Sequence, residues 1–499
     1  MATPLARAAL GRVRLVGLAL ALIVGVAGWD APAVRGAEPG DEPPKAGAPD
    51  SKKNGKDEPK EKNGDDEKKD DDKKDDEKDK NGKDDDKEKK PTWYSVHGQF
   101  TFVNQRHDRF PSPYTGPHSL ISDEPSANSI TSTLFLDAKL WRGFEMVFNP
   151  EIAGGLGLSG TTGMAGFPNG EITRIGRVEP TLYIARLFGR QTFGFGGEQE
   201  KVEDEANQIA GTRDISRFTV TVGKLAATDI ADNNKYSHDP RTQFLNWSLM
   251  YNGAWDYPAN VRGYTYGVGL DFNQKNWALR YGIFAEPGEA NGAELDPHIL
   301  KANGQVLEWE GRYDFNCHPG ALRVMTFLNH AHMGNYGDAI RLMPVDPDIT
   351  LTRAYRYKYG VGANLEQEIT KELGAFTRVG WNDGHSETWA FTEIDRSFAF
   401  GLLLKGKCWH RPEDEVGFAV VVNGLSQTHR AYLAAGGLGY IIGDGRLNYA
   451  AETIIESYYN LELSKAANIT FDMQGVANPA YNADRGPVLV LSLRLHMEF

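Results

Sequence analysis

The chain has 499 residues, with 55 Lys+Arg against 68 Asp+Glu and a formal net charge of -13. That acidic balance argues against a nucleic-acid partner. With Gly at 55 residues and aromatics at 11%, the composition suits antiparallel β structure with many turns better than packed helices.

Arg7, Arg12 and Arg14 precede an uncharged apolar run from Leu15 to Ala27. Ala31-Pro32-Ala33 then offers the small-residue spacing that a signal peptidase reads, and a cut within Val34 to Ala37 fits as well. Residues 1–37 are therefore expected to be a signal peptide. The run is shorter than the roughly 18 to 20 apolar residues of a spanning helix, and no cysteine follows it to carry a lipid. Beyond it, no run is long enough to span as a helix. That test does not reach barrels, whose strands need only about 9 to 11 residues with alternate ones facing lipid. The negative mean hydropathy is thus uninformative.

From Glu38 to Lys90 almost every residue is Asp, Glu, Lys, Asn, Gly or Pro, with Lys-Asn-Gly recurring at Lys53, Lys62 and Lys80. A segment without aliphatic or aromatic residues cannot offset chain entropy, so residues 38–92 are expected to form a disordered periplasmic spacer. It reads either as a tether touching peptidoglycan or as a solvated tail. Its carboxylates already have lysine neighbours, which weakens a metal-binding reading.

At Trp93 the composition changes, and residues 93–499 read as one β domain. On one strand Arg186, Phe188 and Arg190 share a face. Tyr264, Tyr266, Val268, Leu270 and Phe272 oppose Thr265, Gly267, Gly269 and Asp271. After a short turn, Trp277, Leu279, Tyr281 and Ile283 oppose Ala278, Arg280 and Gly282. Leu307, Trp309, Gly311, Tyr313 and Phe315 oppose Glu308, Glu310, Arg312 and Asp314, and Tyr355, Tyr357, Tyr359, Val361 and Leu365 oppose Arg356, Lys358, Asn364 and Glu366.

The final segment alternates most cleanly: Leu489, Leu491, Leu493, Leu495, Met497 and Phe499 against Val490, Ser492, Arg494, His496 and Glu498. A helix would mix the two sets. Slipping the strand by one residue would turn Arg494 toward lipid at roughly 2 to 4 kcal/mol near the midplane, which fixes the register. A terminal phenylalanine is also common on outer-membrane barrel strands, where the assembly machinery reads it.

Charges on the inner parity describe a water-filled barrel rather than a packed sandwich. Short connections at 141–143, 273–275, 316–320 and 407–415 alternate with long ones at 105–130, 152–178, 225–262, 285–304, 331–353 and 424–450. Short periplasmic turns and long external loops are the barrel rule, and the strands between them number about sixteen. The connection from Gly196 to Ser216 breaks the pattern, being long at the short-turn end. The expected fold is all-β, a transmembrane antiparallel up-and-down barrel with inward-folded loops, in the outer membrane and in contact with its lipid.

Five long runs stand out: MAGFPNGE (Met164 to Glu171), ARLFGRQTFGFGGEQEKVED (Ala185 to Asp204), HDPRTQFLNWSLMYNGAWDYP (His238 to Pro258), YLAAGGLGYIIGDGRLNY (Tyr432 to Tyr449) and ANPAYNADRGP (Ala477 to Pro487). In these runs the chain resembles the OprB-type carbohydrate-selective outer-membrane porins. The resemblance covers about Gly98 to Phe499. It implies a monomeric barrel that admits monosaccharides and small sugars through a constriction built by inward-folded loops. The charged spacer is not part of the family pattern.

Sugars present hydroxyls in the ring plane and C–H bonds on the faces, so their path calls for planar hydrogen-bonding groups and aromatic platforms. Arg186 and Arg190 supply guanidinium forks. Inward Glu145, Glu151, Glu308, Glu310 and Arg312 add acceptors and balance charge, although such residues can also simply pair to brace the wall. The segment His238 to Pro258 brings Arg241, Asn246, Trp247, Asn252, Trp255 and Asp256, and its Phe244, Leu245, Leu249 and Met250 fall at helical spacing. So apolar a loop should fold into the barrel mouth, its tryptophans either touching sugar or anchoring the fold-back. Glu171, after a glycine-rich loop, completes the candidate path.

Cys317 and Cys408 fall in different short turns about three strand spacings apart, near 14 Å against a limit of about 7 Å between Cα atoms, so free thiols are expected. The same separation argues against a shared zinc site, and no cofactor pattern is present. There is no Gly-x-Ser-x-Gly and no convincing Ser/His/acid grouping, which argues against an enzyme. A general diffusion pore, or a barrel that anchors the spacer as an envelope tether, remain the alternatives.

Overall fold

The computed structural model describes residues 93–174 and 177–499. The expected signal peptide (1–37) and spacer (38–92) lie outside the described residues. Four strands open the barrel: β1 (Tyr94–His107), β2 (Ala127–Trp141), β3 (Phe144–Gly155) and β4 (Thr181–Gly194). A small hairpin, β5 (Gln199–Val202) and β6 (Gly211–Asp214), follows. The wall resumes with β7 (Arg217–Leu225), β8 (Thr265–Asn273), β9 (Trp277–Ala285), β10 (Asn303–Phe315), β11 (His318–Ala331) and β12 (Arg356–Glu368). It ends with β13 (Leu373–Asn382), β14 (Arg396–Lys405), β15 (Glu415–Gly424), β16 (Glu452–Ser464), β17 (Ala467–Ala477) and β18 (Val488–Glu498).

Every wall strand pairs with its neighbour in sequence, β4 pairs with β7 across the hairpin, and β18 pairs with β1 to close a barrel of 16 strands. Closure leaves no free sheet edge, which a lipid environment requires. At the seam Gly98 and Phe499 exchange both backbone hydrogen bonds, at 3.2 and 3.0 Å. The Phe499 ring lies where a side chain at residue 98 would begin, 2.5 Å from an ideal Cβ, so glycine there lets the ring pack on the backbone.

The period of two sorts side chains as the sequence indicates. In β18, Leu489 and Leu493 are exposed on the outer face while Val490, Ser492, Arg494 and His496 are buried inside. Exposed aromatics mark both rims: Trp141, Phe193, Trp277 and Phe315 at the short-turn end, and Tyr266, Tyr357 and Trp381 at the long-loop end. These are the two girdles of a membrane barrel. On the inner wall, charges pair across strands. Arg280 meets Asp271, Glu308 and Glu310 at 3.1, 2.9 and 3.0 Å, and Arg323 meets Glu310 and Glu366 at 2.7 and 3.0 Å.

The apolar core sits inside the barrel, made by loops. The 226–264 loop runs inward, and its short helix Trp247–Met250 is capped by Asn246, whose side chain accepts from the Ser248 amide. Phe244 packs against Phe376 and Tyr458, with ring centroids 5.6 and 5.0 Å apart. Wall residues grip the loop backbone. Glu456 accepts the Leu245 and Asn246 amides at 2.6 and 3.1 Å, and Arg378 donates to the Leu249 and Ser237 carbonyls at 2.8 and 2.6 Å. The 156–180 loop joins it, Trp247 lying 5.4 Å from Phe167. Cavities remain along the inner wall, one lined by residues of β2–β4 and β7–β9 and another by residues of β10–β12.

One detail departs from the sequence reading. Tyr264 lies just before β8 and turns inward, buried, with its hydroxyl 3.4 Å from Glu151, rather than following Tyr266 outward. Its aromatic girdle position is lost because the loop, not the strand, dictates its direction. The cysteines are free and exposed, Cys317 in the β10–β11 turn and Cys408 in the β14–β15 turn.

Candidate functional site

The narrow part of the open volume is shaped by a bulge. Between β3 and β4 the register jumps from Asn149 opposite Arg186 to Pro150 opposite Ile184, leaving Ala185 as an extra residue. Pro150 has no N–H to give the ladder, which suits a bulge there. The extra residue switches parity, so odd-numbered Tyr183 points inward above the bulge while Arg186, Phe188 and Arg190 point inward below it.

Arg186 grips Asp229, in the first turn of the inward loop, through Nε and Nη2 at 2.8 and 2.7 Å. Arg241 reaches from the same loop to Glu171 at 3.2 Å and to Glu151 at 3.3 Å. Glu171 also accepts from Thr131, and Glu151 from Tyr183 and, at 2.5 Å, from Thr133. Arg262 stacks over the Tyr183 ring at 4.1 Å, and among the described residues no carboxylate lies within ion-pair distance of it. Arg186 lies 5.3 Å from the centre of the Tyr264 ring. Of these groups Glu171, Arg186, Asp229, Arg241, Arg262 and Tyr264 border a cavity of about 190 Å³, together with Tyr251 and Tyr257. Planar donors, carboxylate acceptors and aromatic rings thus face one small opening.

The residues singled out in the sequence divide into three groups. Arg186, Arg241 and Glu171 meet at this opening. Arg190 and Glu145 pair at 2.7 Å one level lower, beside a second cavity. The remaining five hold the loop in place. Asn246 donates to the Gly166 carbonyl and to Gln474, both at 2.9 Å, and Trp247 donates to the Asn169 carbonyl at 2.7 Å. Asn252 donates to the Val379 carbonyl at 3.0 Å, Trp255 is fully buried, and Asp256 accepts the Ala390 amide at 2.8 Å. Asp229, Tyr251, Tyr257, Arg262 and Tyr264 escaped the sequence reading. They lie on irregular backbone, where no periodicity reports a direction; the density of Tyr and Arg between Tyr251 and Tyr264 is the one signal that could have drawn notice.

A family model described as carbohydrate-selective porin, OprB family, matches residues 137–499. The chain belongs to the OprB family. Among solved structures, this OprB-family chain is similar to OprB of Pseudomonas putida in its high-pH structure, with 17% identity, a TM-score of 0.61 and coverage of 81% of this chain and 94% of that one. The low-pH structure of the same protein aligns at 13% identity and a TM-score of 0.45, covering 81% and 92%. The outer-membrane channel DcaP of Acinetobacter baumannii aligns at 7% identity and a TM-score of 0.45, covering 81% and 97%. A comparison with curated protein sequences gives no match.

An OprB-family porin is an outer-membrane channel protein, and the two aromatic girdles here set the depth of the barrel in that bilayer. By the rule that periplasmic turns are short, the end bearing residues 142–143 and 465–466 faces the periplasm and the loop-covered end faces outward.

Proposed function

We propose that this porin conducts monosaccharides and small sugars passively, past a constriction formed by Arg186, Arg241, Arg262, Glu171 and Asp229 with the rings of Tyr251, Tyr257 and Tyr264. The observation that carries this reading is the convergence of three guanidinium groups, from β4 and from two points of the inward loop, on one cavity of about 190 Å³ edged by tyrosines. A guanidinium fork donates in a plane to two hydroxyls at once, and an aromatic face accepts sugar C–H bonds.

Charge balance favours a neutral solute over a small anion. Arg186, Arg241 and Arg262 stand against Glu171, Asp229 and Asp239 in the lining, three against three. With no surplus of one sign the opening has little field to concentrate ions. Asn246, Trp247, Asn252, Trp255 and Asp256 serve this reading indirectly, by fixing the loop that carries Arg241 and Arg262.

Single-channel recording in planar bilayers tests it. Millimolar glucose should block the current in resolvable events while succinate leaves it open. Indifference to both would sink sugar selectivity in favour of a general diffusion pore.

A further inference from the structure

Among the described residues the β5–β6 hairpin is the longest connection at the short-turn end, and it bends into the lumen instead of away from it. Four wall strands hold its tip. Ser95 on β1 donates to Asp204 at 2.6 Å, and His97 faces the same carboxylate at 3.4 Å. Lys139 on β2 donates to the Ala210 carbonyl at 3.1 Å. Asn149 on β3, fully buried on the inner wall, donates to the Asn207 side chain at 2.8 Å, and Arg190 on β4 donates to the Asn207 carbonyl, also at 2.8 Å. A solvent-tossed turn needs no such anchorage; these bonds hold a shaped roof over the exit.

Between this hairpin, the β4–β7 wall and the first turn of the inward loop lies a cavity of about 730 Å³, within the roughly 300 to 1,000 Å³ of small-molecule sites. Its lining repeats the chemistry of the constriction. Arg190 and Arg280 offer planar forks already oriented by Glu145 and Asp271, and Thr221 offers a hydroxyl. Ile209 of the hairpin and Ile230 of the loop offer apolar surface for a ring face. Asp229 borders this cavity and the constriction alike, so the two lie on either side of one carboxylate.

We propose that the hairpin builds a second saccharide-binding station on the periplasmic side of the constriction, so that the pore holds a neutral sugar at two successive sites. This rests on the sugar-path reading above. Two stations of moderate affinity let a solute enter and leave faster than one tight site would, because neither step crosses the whole barrier. The larger volume also suits a disaccharide better than the constriction does.

The test uses the whole protein in planar bilayers of known orientation, with glucose or maltose added to one side at a time. Two blocked dwell components are expected, the longer-lived one under maltose being reached first from the short-turn side. Replacing residues 203–210 by Gly-Ser should weaken that component about tenfold, and N207A, which keeps the hairpin but cuts its tie to Asn149, should weaken it severalfold. R241Q should act on the other component instead. Heat-dependent gel migration of the folded barrel checks each variant. A single component untouched by either hairpin variant would overturn the second station while leaving the sugar path intact. Absence of block by any sugar, in the unaltered protein, would overturn both.

Discussion

Arg186 and Asp229 form a two-pronged ion pair, Nε to Oδ2 at 2.8 Å and Nη2 to Oδ1 at 2.7 Å, that fastens the first turn of the inward loop, just after β7, to the barrel wall. The wall contributes one partner and the loop the other, so the width of the constriction depends on this bond. Its short helical turn at Ala227–Asp229 and the Ala226 amide, which donates to Asp229 at 3.0 Å, orient the carboxylate for it.

Charge-assisted hydrogen bonds of this kind contribute about 1.5 to 3 kcal/mol when dry, and less here because both side chains keep some contact with water. R186Q should therefore release the first turn of the loop, raise open-channel noise and weaken glucose block about three- to tenfold. D229N should do the same, and the double variant should be no worse than either alone, because the two act as one unit. Additive losses in single-channel recordings would mean that each residue contacts the solute separately.

Asp256 illustrates the opposite role. Its carboxylate accepts from the Trp389, Ala390 and Phe391 amides at 2.8, 2.8 and 3.0 Å and from Lys358 at 3.1 Å, all out of contact with water. Removing one partner strands a buried charge, at a cost of about 3 to 5 kcal/mol. D256A should lower the temperature at which the folded band disappears in heat-dependent gel migration, and should open the 226–264 loop to protease. D256N, which keeps two acceptor positions, should fall between. A D256A barrel with the parental melting temperature and an intact loop would contradict this account.

The wall was legible in the sequence because a barrel strand has a hard rule: one face meets hydrocarbon, so a single misplaced charge such as Arg494 reveals the register. Arg186 and Arg190 were placed correctly for the same reason. The rule fails where the backbone stops being regular. The bulge at Pro150 turns Tyr183 inward against the parity of its neighbours, and Tyr264 leaves the strand one residue early. Loop residues fare worst. The helical spacing of Phe244, Leu245 and Leu249 announces a fold-back, yet says nothing of which polar residues around it face the pore. Asn246 and Trp247 proved to be braces, while Arg262 and Asp229, in stretches with no pattern, border the opening.

Leu493 and Arg494 are adjacent on β18, one 42% exposed on the outer face and the other fully buried. Arg494 donates to the Pro240 and Gln243 carbonyls and to Thr470, so it ties the inward loop to the wall. L493R should impair barrel stability by about 2 to 4 kcal/mol if the site lies near the bilayer midplane, less toward the rim. R494M should leave the barrel formed but two loop carbonyls unpaired, at about 1 to 3 kcal/mol each. Urea unfolding in lipid vesicles, followed by tryptophan fluorescence, separates the two: L493R should shift the global transition, whereas R494M should add an earlier, loop-only transition. Equal tolerance of both substitutions would contradict the register.

Glu393, on the external connection between β13 and β14, is a carboxylate with almost no exposure. It accepts the Ile441 and Ile442 amides at 2.8 and 3.0 Å and thereby docks the β15–β16 loop onto its own. Burial pushes its pKa up to about 7, against the opposing pull of His429 and the two amides, with Glu387 adding to the rise. A carboxyl that holds its proton more tightly when docked than when undocked favours docking at low pH. The contact is therefore strongest below about pH 4.5, weakens as pH rises toward 7 and changes little above that. Hydrogen exchange at Ile441 and Ile442, corrected for the intrinsic pH dependence of exchange, should show protection falling across this window. E393Q mimics the protonated acid and should flatten the profile at the high-protection level. Protection that rises with pH in the unaltered protein would show that the two amides outweigh burial, and that the docked carboxylate is ionised throughout.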